Sequence, residues 1–507
     1  MKNKFIGLGK DIIGYGIMDG VARIIHFLLL PIFTRVFSTG EYGIVDIVAT
    51  ITSLTTTFAR LALPTALARY FPEFKEDQER NSFITTILVC VGALSTALML
   101  LSSLFSNILA DWLLDNPENG PFIIMGFSSA MLTAITSVPL MVFRMEQRII
   151  HFNASNIIYT VAYAFLALLF VIVFPFGLNG LFLASIIAAA IQLLIAIFWI
   201  RKYLTRKLSL SLLRRSLKFS LPTLPGIMVG WVNNQVDRLI LLAFLGLDSV
   251  GIFGVAARLG SSIKLLTTIF RRAWIPYRML FISSPPEERN PFYRSVLNYY
   301  TGLIFTLALG IISISPEIFQ LLFPPEYYDG YVIMPWFIGS IILHDAGSIT
   351  GLGILISEKT YASSIASWSG AILNVILATL LIPLYGINGA AIGTFLAEMT
   401  FAGIQWYFTV RFSDIKFSLS TVISVLFYYI SSAILLLWVA KAIQPWWISL
   451  SIRLIILTIA ALLIINHSID KKTRETLKSM GMDLPAQIRT YLNINKNDPA
   501  NLEVENN

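Results

Sequence analysis

Long apolar runs separated by short polar segments dominate the chain. A helix needs about 20 apolar residues to cross the hydrocarbon core of a bilayer. Fourteen runs of about that length lie between residues 12 and 467. The pattern therefore predicts an all-α polytopic membrane protein with 14 transmembrane helices.

The first twelve of these spans contain a sequence duplication. Short matches recur at an offset of 208 or 209 residues: 42–49 with 250–257, 154–155 with 362–363, and 177–180 with 386–389. Each unit carries six spans, an even number, so both copies insert with the same orientation. Repeats of this kind are related by an axis along the membrane normal. We expect two parallel six-helix repeats around a central cavity, plus two additional helices.

The duplication also sets the expected domains. The N-terminal six-helix half covers 1–218 and the C-terminal six-helix half covers 219–412. Transmembrane helices 13 and 14 occupy 413–467, and a polar cytoplasmic tail occupies 468–507.

Basic residues lie almost entirely on one side of this arrangement. Of the 37 Lys and Arg residues, 29 fall in the termini and the loops on one side, and only Arg35 and Lys441 fall on the other. By the positive-inside rule both termini are cytoplasmic. This predicts a multi-pass protein of the cytoplasmic (inner) membrane, and it explains the net charge of +8 without nucleic acid.

Composition excludes several classes of function. Charged residues make up 13% of the chain, against about 25% in soluble domains. The single cysteine, Cys90, lies in an apolar run, and the four histidines show no ligand spacing. We therefore expect no disulfide framework and no certain metal site. No external loop is long enough for a catalytic domain, so we do not expect an enzyme.

Eleven ionisable side chains lie inside the predicted spans. The cations are Arg23, Arg60, Arg238, Arg258, Lys264 and Arg453, and the acids are Asp19, Asp46, Asp237, Asp345 and Glu398. Such groups are costly in hydrocarbon and usually functional. Five of the six cations lie on the two matched hairpins that open the halves. The cavity should therefore be positively charged and suited to an anionic cargo.

Depth along the helices, at about 1.5 Å per residue, suggests which of these charges meet. We predict two ion pairs, Asp19 with Arg60 and Asp237 with Arg258. Arg23 and Lys264 are then the cations left to bind a ligand.

The remaining charges divide into structural and functional candidates. Helix packing is the favoured role for Arg453, Asp46 and Arg238. Substrate binding is favoured for the set Arg23, Arg60, Arg258 and Lys264. Glu398, near the middle of its span, is the best lone carboxylate for proton coupling.

Three segments carry a family resemblance. Residues 30–43 read LPIFTRVFSTGEYG, residues 236–254 read VDRLILLAFLGLDSVGIFG, and residues 385–391 read YGINGAA. Together they resemble the polysaccharide transporter (Wzx-type flippase) family of the MATE/MOP superfamily, over roughly residues 5–465.

The resemblance implies a flippase that moves a polyprenyl-diphosphate-linked oligosaccharide from the cytoplasmic to the outer leaflet by alternating access. The oligosaccharide would be an O-antigen, capsule or exopolysaccharide unit. Membrane lipids and other membrane proteins of glycan assembly are the implied partners. Helices 13 and 14 border a groove for the lipid tail in related lipid II flippases.

A coupling ion is implied as well. Some of these relatives hold sodium between spans 7, 11 and 12, where Asp237, Asn374 and Thr394 are the counterparts here. Ala378 stands where those relatives carry a second acid, which argues against a sodium site. With Asp19 and Glu398, these residues are the candidates for coupling to H+ or Na+, and no other cofactor is expected.

Two other functions stay open. One is a MATE-type cation-coupled multidrug exporter, although an excess of cavity cations would repel cationic drugs. The other is a membrane enzyme of glycan polymerisation or acyl transfer, although the chain lacks a large outer loop and a Ser or His constellation.

Overall fold

The computed structural model describes residues 20, 22–74, 76–417 and 419–468. The start of the first predicted span, the candidate Asp19 and the tail beyond residue 468 lie outside the described residues. The predicted pair between Asp19 and Arg60 therefore stays a prediction.

Within these ranges the chain folds into eighteen α-helices joined by short turns. They are α1 (22–36), α2 (Thr39–Arg60), α3 (Leu63–Tyr70), α4 (Asp77–Leu104), α5 (Ser106–Leu114), α6 (Gly120–Met145), α7 (Ile149–Leu168), α8 (Gly177–Ile200), α9 (Leu210–Ser220), α10 (Leu224–Gly260), α11 (Ile263–Leu280), α12 (Pro286–Leu322), α13 (Met334–Thr350), α14 (Leu352–Ile356), α15 (Tyr361–Tyr385), α16 (Ile387–Phe412), α17 (Leu419–Ala442) and α18 (Trp446–Ser468). The described residues contain no strand. The all-α fold class is confirmed.

Twelve segments of the described chain are long and apolar enough to span a membrane. The sequence predicted fourteen, and two predicted spans account for the difference. The first lies partly outside the described residues, and the seventh joins the start of the eighth in the single element α10. The polytopic membrane architecture is confirmed.

A bend at Gly246 divides α10. Its dihedral angles, φ 76° and ψ −177°, lie in a region that only glycine adopts without strain. The sequence predicted a turn over 246–251, but the helix resumes directly after this one residue. The bend brings the second arm of α10 back alongside α2.

The turns that begin α8 and α16 repeat the same backbone conformation. Gly177 and Gly386, matched in the duplication, both have φ +60°. Three residues later, Gly180 and Gly389 each face the backbone of the preceding helix so closely that a Cβ would overlap it. The sequence match at offset 209 therefore reports a shared local structure.

Helices α2 and α10 meet in a seam with reciprocal contacts. A Cβ on Gly43 would overlap the carbonyl oxygen of Leu247, and a Cβ on Gly251 would overlap that of Thr39. Leu247 and Gly251 lie 208 residues after Thr39 and Gly43, respectively. Reciprocal contact of equivalent residues is the signature of two-fold symmetric packing. At this seam the two repeats touch through backbone atoms.

Helices α17 and α18 pack on the second repeat through α12. Arg453 of α18 is 1% exposed and donates to Glu317 Oε2 of α12 at 3.0 Å. Breaking a buried ion pair of this kind costs about 3–5 kcal/mol. The predicted packing role of Arg453 fits this contact.

Candidate functional site

A cavity of about 960 Å³ lies mainly within the first repeat and is bordered on one side by the second. Helices α1, α2, α6, α7 and α8 form most of its wall, and residues from both arms of α10 and from the start of α11 complete it. Along α2 the lining runs from Tyr42 to Arg60, about 27 Å of helix. The α2–α10 seam closes the end near Tyr42.

The charge on this wall is positive. Arg23, Arg60, Arg238 and Arg258 all line the cavity, and no Asp or Glu is among its lining residues in the described chain. The sequence predicted a cationic cavity, and the structure places three of the four predicted binding cations on its wall.

Lys264 is the fourth predicted cation, and it is not among the lining residues. It lies half-buried one residue into α11, where it interacts electrostatically with Asp345 and with Arg23 and Arg238. Both arginines line the cavity, so Lys264 lies near the wall. Its predicted role in binding stays a prediction.

Arg60 stands in the wall without a carboxylate partner in the described chain. Its Nη2 donates to the carbonyl oxygen of Thr133 at 3.1 Å, and its Nε is buried without a partner. A carbonyl fixes the guanidinium but does not neutralise it. Arg60 therefore keeps its charge and its spare donors for a ligand.

Arg238 and Arg258 share one acid at the seam. Asp46 of α2 is 2% exposed and accepts from Arg238 Nε at 3.0 Å and from Arg258 Nη2. Gly254 of α10 leaves the room this carboxylate needs, because a Cβ there would overlap it. The three side chains together keep one net positive charge at the closed end of the cavity.

The predicted pair of Asp237 with Arg258 is wrong, because Arg258 contacts Asp46 instead. Asp237 is buried on the face of α10 that meets α15 and α16. It accepts from Asn374 Nδ2 at 3.2 Å and from Thr394 Oγ1 at 2.8 Å. Its neighbour Arg238 faces α2 and shares Asp46 with Arg258, so Asp237 and Arg238 point to different faces of the same arm.

The three residues that the resemblance linked to sodium do converge. Asn374 Oδ1 is buried without a partner beside them, and it is the kind of oxygen that a hard cation takes as a ligand. Ala378, fully buried on α15, supplies no further ligand. Three side chains fit only part of a cation's shell, and the sodium site stays a prediction.

Glu398 is not a lone carboxylate, which corrects the sequence interpretation. Its Oε2 lies 2.9 Å from His344 Nδ1 of α13, and the His344 ring stacks on Phe401 at 5.0 Å between centroids. The next residue, Asp345, instead lies 3.5 Å from Arg271 of α11. His344 and Asp345 thus point to different faces of α13.

The sequence analysis gave Asp46 a packing role but did not identify its partners. Asp46 and Gly254 stand 208 residues apart, so they occupy equivalent positions of the two repeats and face each other across the seam. The sequence signal that could have indicated this contact was an acid in one repeat aligned with a glycine in the other.

Comparison with known proteins agrees with this geometry. The model of a family described as polysaccharide biosynthesis protein matches residues 8–279. A probable low-salt glycan biosynthesis flippase, Agl15 of Haloferax volcanii, is 25% identical over 198 residues, 38% of this chain. That match spans 41% of the relative's length.

Two solved structures share the fold. The lipid II flippase MurJ, in an inward closed conformation, superposes with a TM-score of 0.66 at 15% identity, over 88% of this chain and 97% of MurJ. An inward-facing MATE multidrug resistance transporter of the MOP superfamily superposes with a TM-score of 0.59 at 14% identity, over 77% of this chain and 94% of the transporter. Because the family model covers more than half of the sequence, the chain belongs to the family of polysaccharide biosynthesis proteins.

Proposed function

We propose that this protein is a flippase that moves a polyprenyl-diphosphate-linked oligosaccharide from the cytoplasmic to the outer leaflet. The observation that carries the proposal is the cavity lined by four arginines and by no acid among the described residues. Such a wall attracts a diphosphate and repels a cation. It therefore favours a lipid-linked glycan over the cationic cargo of a drug exporter.

Arg60 and Arg23 are the proposed ligands of the diphosphate. Guanidinium groups bind phosphate oxygens through paired, charge-assisted hydrogen bonds. Arg60 lacks a carboxylate partner in the described chain, and Arg23 is exposed on the same wall. Arg258, 38% exposed beside its partner Asp46, adds attraction at the closed end.

The proposed topology keeps fourteen spans. Span 1 would cover 12–37, which includes α1. The two arms of α10 would belong to spans 7 and 8. Both termini are then cytoplasmic, the halves at 1–218 and 219–412 enclose the cavity, and the seam near Thr39 closes its outer side. Alternating access requires this seam to open while the cytoplasmic side closes.

Energy coupling is proposed at two buried carboxylates of the second half. Asp237 with Asn374 and Thr394 would serve Na+ or H+, and Glu398 with His344 would serve H+. The chain itself performs no chemistry on the glycan. Other membrane proteins of glycan assembly would supply and consume the lipid-linked unit.

A leaflet assay in cells tests the function. Deleting the gene should leave the lipid-linked glycan in the cytoplasmic leaflet, out of reach of an external lectin or glycosidase. An enzyme of polymerisation would instead leave single units exposed outside. An Arg23→Gln/Arg60→Gln/Arg258→Gln variant should behave like the deletion, and normal export in that variant would contradict the proposal.

A further inference from the structure

We propose that the cavity wall formed by α7 and the facing turns of α2 is a saccharide subsite, where Tyr159 and Tyr163 stack on sugar rings. The inference rests on the proposed function, since it assigns the glycan part of the same substrate. It also limits the chemistry of the glycan.

The two tyrosines form a pair of nearly parallel rings. They stand four residues apart on one face of α7, their ring centroids lie 6.2 Å apart, and the ring planes differ by 12°. Both rings line the cavity, and His26 of α1 lies 5.8 Å from Tyr163. The face of an aromatic ring is electron-rich, so it attracts the C–H groups on the apolar face of a sugar.

Neither phenol is occupied by a neighbour. In the described chain no hydrogen bond reaches the hydroxyl of Tyr159 or Tyr163, although both residues are half-buried. Tyr159 and Tyr163 line the cavity and their hydroxyls are not buried, so both are open to it. A sugar hydroxyl lying over the ring edge can form a hydrogen bond with them.

On the same cavity wall, α2 contributes hydroxyl oxygens as acceptors. Thr52, Thr56 and Thr57 each donate to a carbonyl of their own helix, at 2.7, 2.7 and 3.0 Å. Each hydroxyl has one proton and two lone pairs, so the lone pairs remain for a ligand. The wall therefore suits a ligand rich in hydroxyl donors, which a hydrocarbon tail is not.

The subsite lies at the depth of the proposed phosphate site. Arg60 contacts Thr133, which is 12 residues, or about 18 Å, before the end of α6. Tyr159 lies 10 residues, or about 15 Å, after the start of α7, and only residues 146–148 join the two helices. A diphosphate on Arg60 therefore lies near the depth of Tyr159. Tyr163, one turn further along α7, lies nearer Arg258, with which it interacts.

Charge restricts which sugars fit. No acid lines this cavity in the described residues, while four arginines do. Sugars with free ammonium groups would meet only like charge. The subsite suits neutral or acidic saccharides.

Binding to the full-length protein in nanodiscs tests the assignment. The probes are a short-chain prenyl diphosphate without sugar and the same lipid bearing a neutral disaccharide. We expect the wild type to prefer the glycosylated probe at least tenfold. Tyr159→Ala/Tyr163→Ala should lose most of that preference while binding the bare lipid normally, and Tyr159→Phe/Tyr163→Phe should keep most of it because the rings remain.

Tyr361→Ala is the matched control, since Tyr361 is 56% exposed on α15 and does not line the cavity. Equal affinity of the wild type for both probes would overturn the saccharide subsite and leave the diphosphate site standing. An equal loss for both probes in the alanine variant would also overturn it. If the wild type binds neither probe, the proposed function fails with it.

Discussion

At the α2–α10 seam, Arg238 and Arg258 share the carboxylate of Asp46, whereas Arg60 further along the same cavity is held by the carbonyl oxygen of Thr133. All three cations line one cavity, yet their partners differ. A carboxylate cancels charge and ties two helices together, while a carbonyl orients the guanidinium and leaves it charged. In the proposed mechanism, the arginines at the seam serve closure and Arg60 serves ligand binding.

The glycines follow the same division. Gly43, Gly251 and Gly254 allow atomic contact across the seam, so this region is packed by backbone. The wall around Arg60 carries hydroxyls and aromatic rings facing open space. A seam that must close and a wall that must bind differ in side-chain size as well as in charge.

The largest expected effect is on the binding wall. Replacing Arg60 by Gln removes a cation that has no carboxylate partner in the described chain, and hydrogen bonds to charged groups contribute about 1.5–3 kcal/mol each. Affinity for a prenyl diphosphate, measured on the purified protein, should fall about ten- to hundredfold. Arg411→Gln, an exposed arginine bonded to Tyr407, should leave it unchanged, and an equal loss in both variants would remove the distinction.

A smaller effect is expected at the seam. Asp46→Asn leaves two arginines facing each other without their shared acid, so the seam should open more often. The readout is a single cysteine in the cavity: Cys90 is replaced by Ala, and Ala49, which lines the cavity, is replaced by Cys. An impermeant maleimide added outside the cell should label this cysteine several-fold faster in Asp46→Asn than in the parent protein. Glu317→Gln breaks the ion pair with Arg453 away from the seam and controls for general loosening. Unchanged labelling in Asp46→Asn would show that the acid does not hold the seam.

The mildest test changes no charge. Gly254→Ala places a methyl group where the carboxylate of Asp46 lies, so Asp46 must shift away from its arginines. The rate at which the maleimide labels the same cysteine should rise, but by less than in Asp46→Asn. Gly403→Ala, with open space around the new Cβ, is the matched control; if it raises labelling as much, seam contact is not the cause.

Sequence reasoning reached the architecture because hydropathy and repeat spacing are local properties. The cationic cavity followed from counting charges on matched hairpins, and Arg23, Arg60 and Arg258 do line it. The convergence of Asp237, Asn374 and Thr394 came from resemblance, since these residues lie on three helices and no spacing links them.

Pairings were harder to predict than positions. Depth along a helix gave similar heights for Asp237 and Arg258. The direction in which each side chain points around the helix also matters, and it depends on the bend at Gly246. The bond between His344 and Glu398 joins residues 54 apart on different helices.

Translocation by the purified protein in liposomes tests the central claim most directly. A fluorescent short-chain prenyl diphosphate bearing a disaccharide, placed in both leaflets, is quenched from outside by a membrane-impermeant reductant. The account predicts that wild-type protein exposes the inner-leaflet pool to quenching and that Arg60→Gln leaves it protected, while Arg411→Gln behaves like the wild type. Equal translocation by wild type and Arg60→Gln, or none by the wild type, would contradict it.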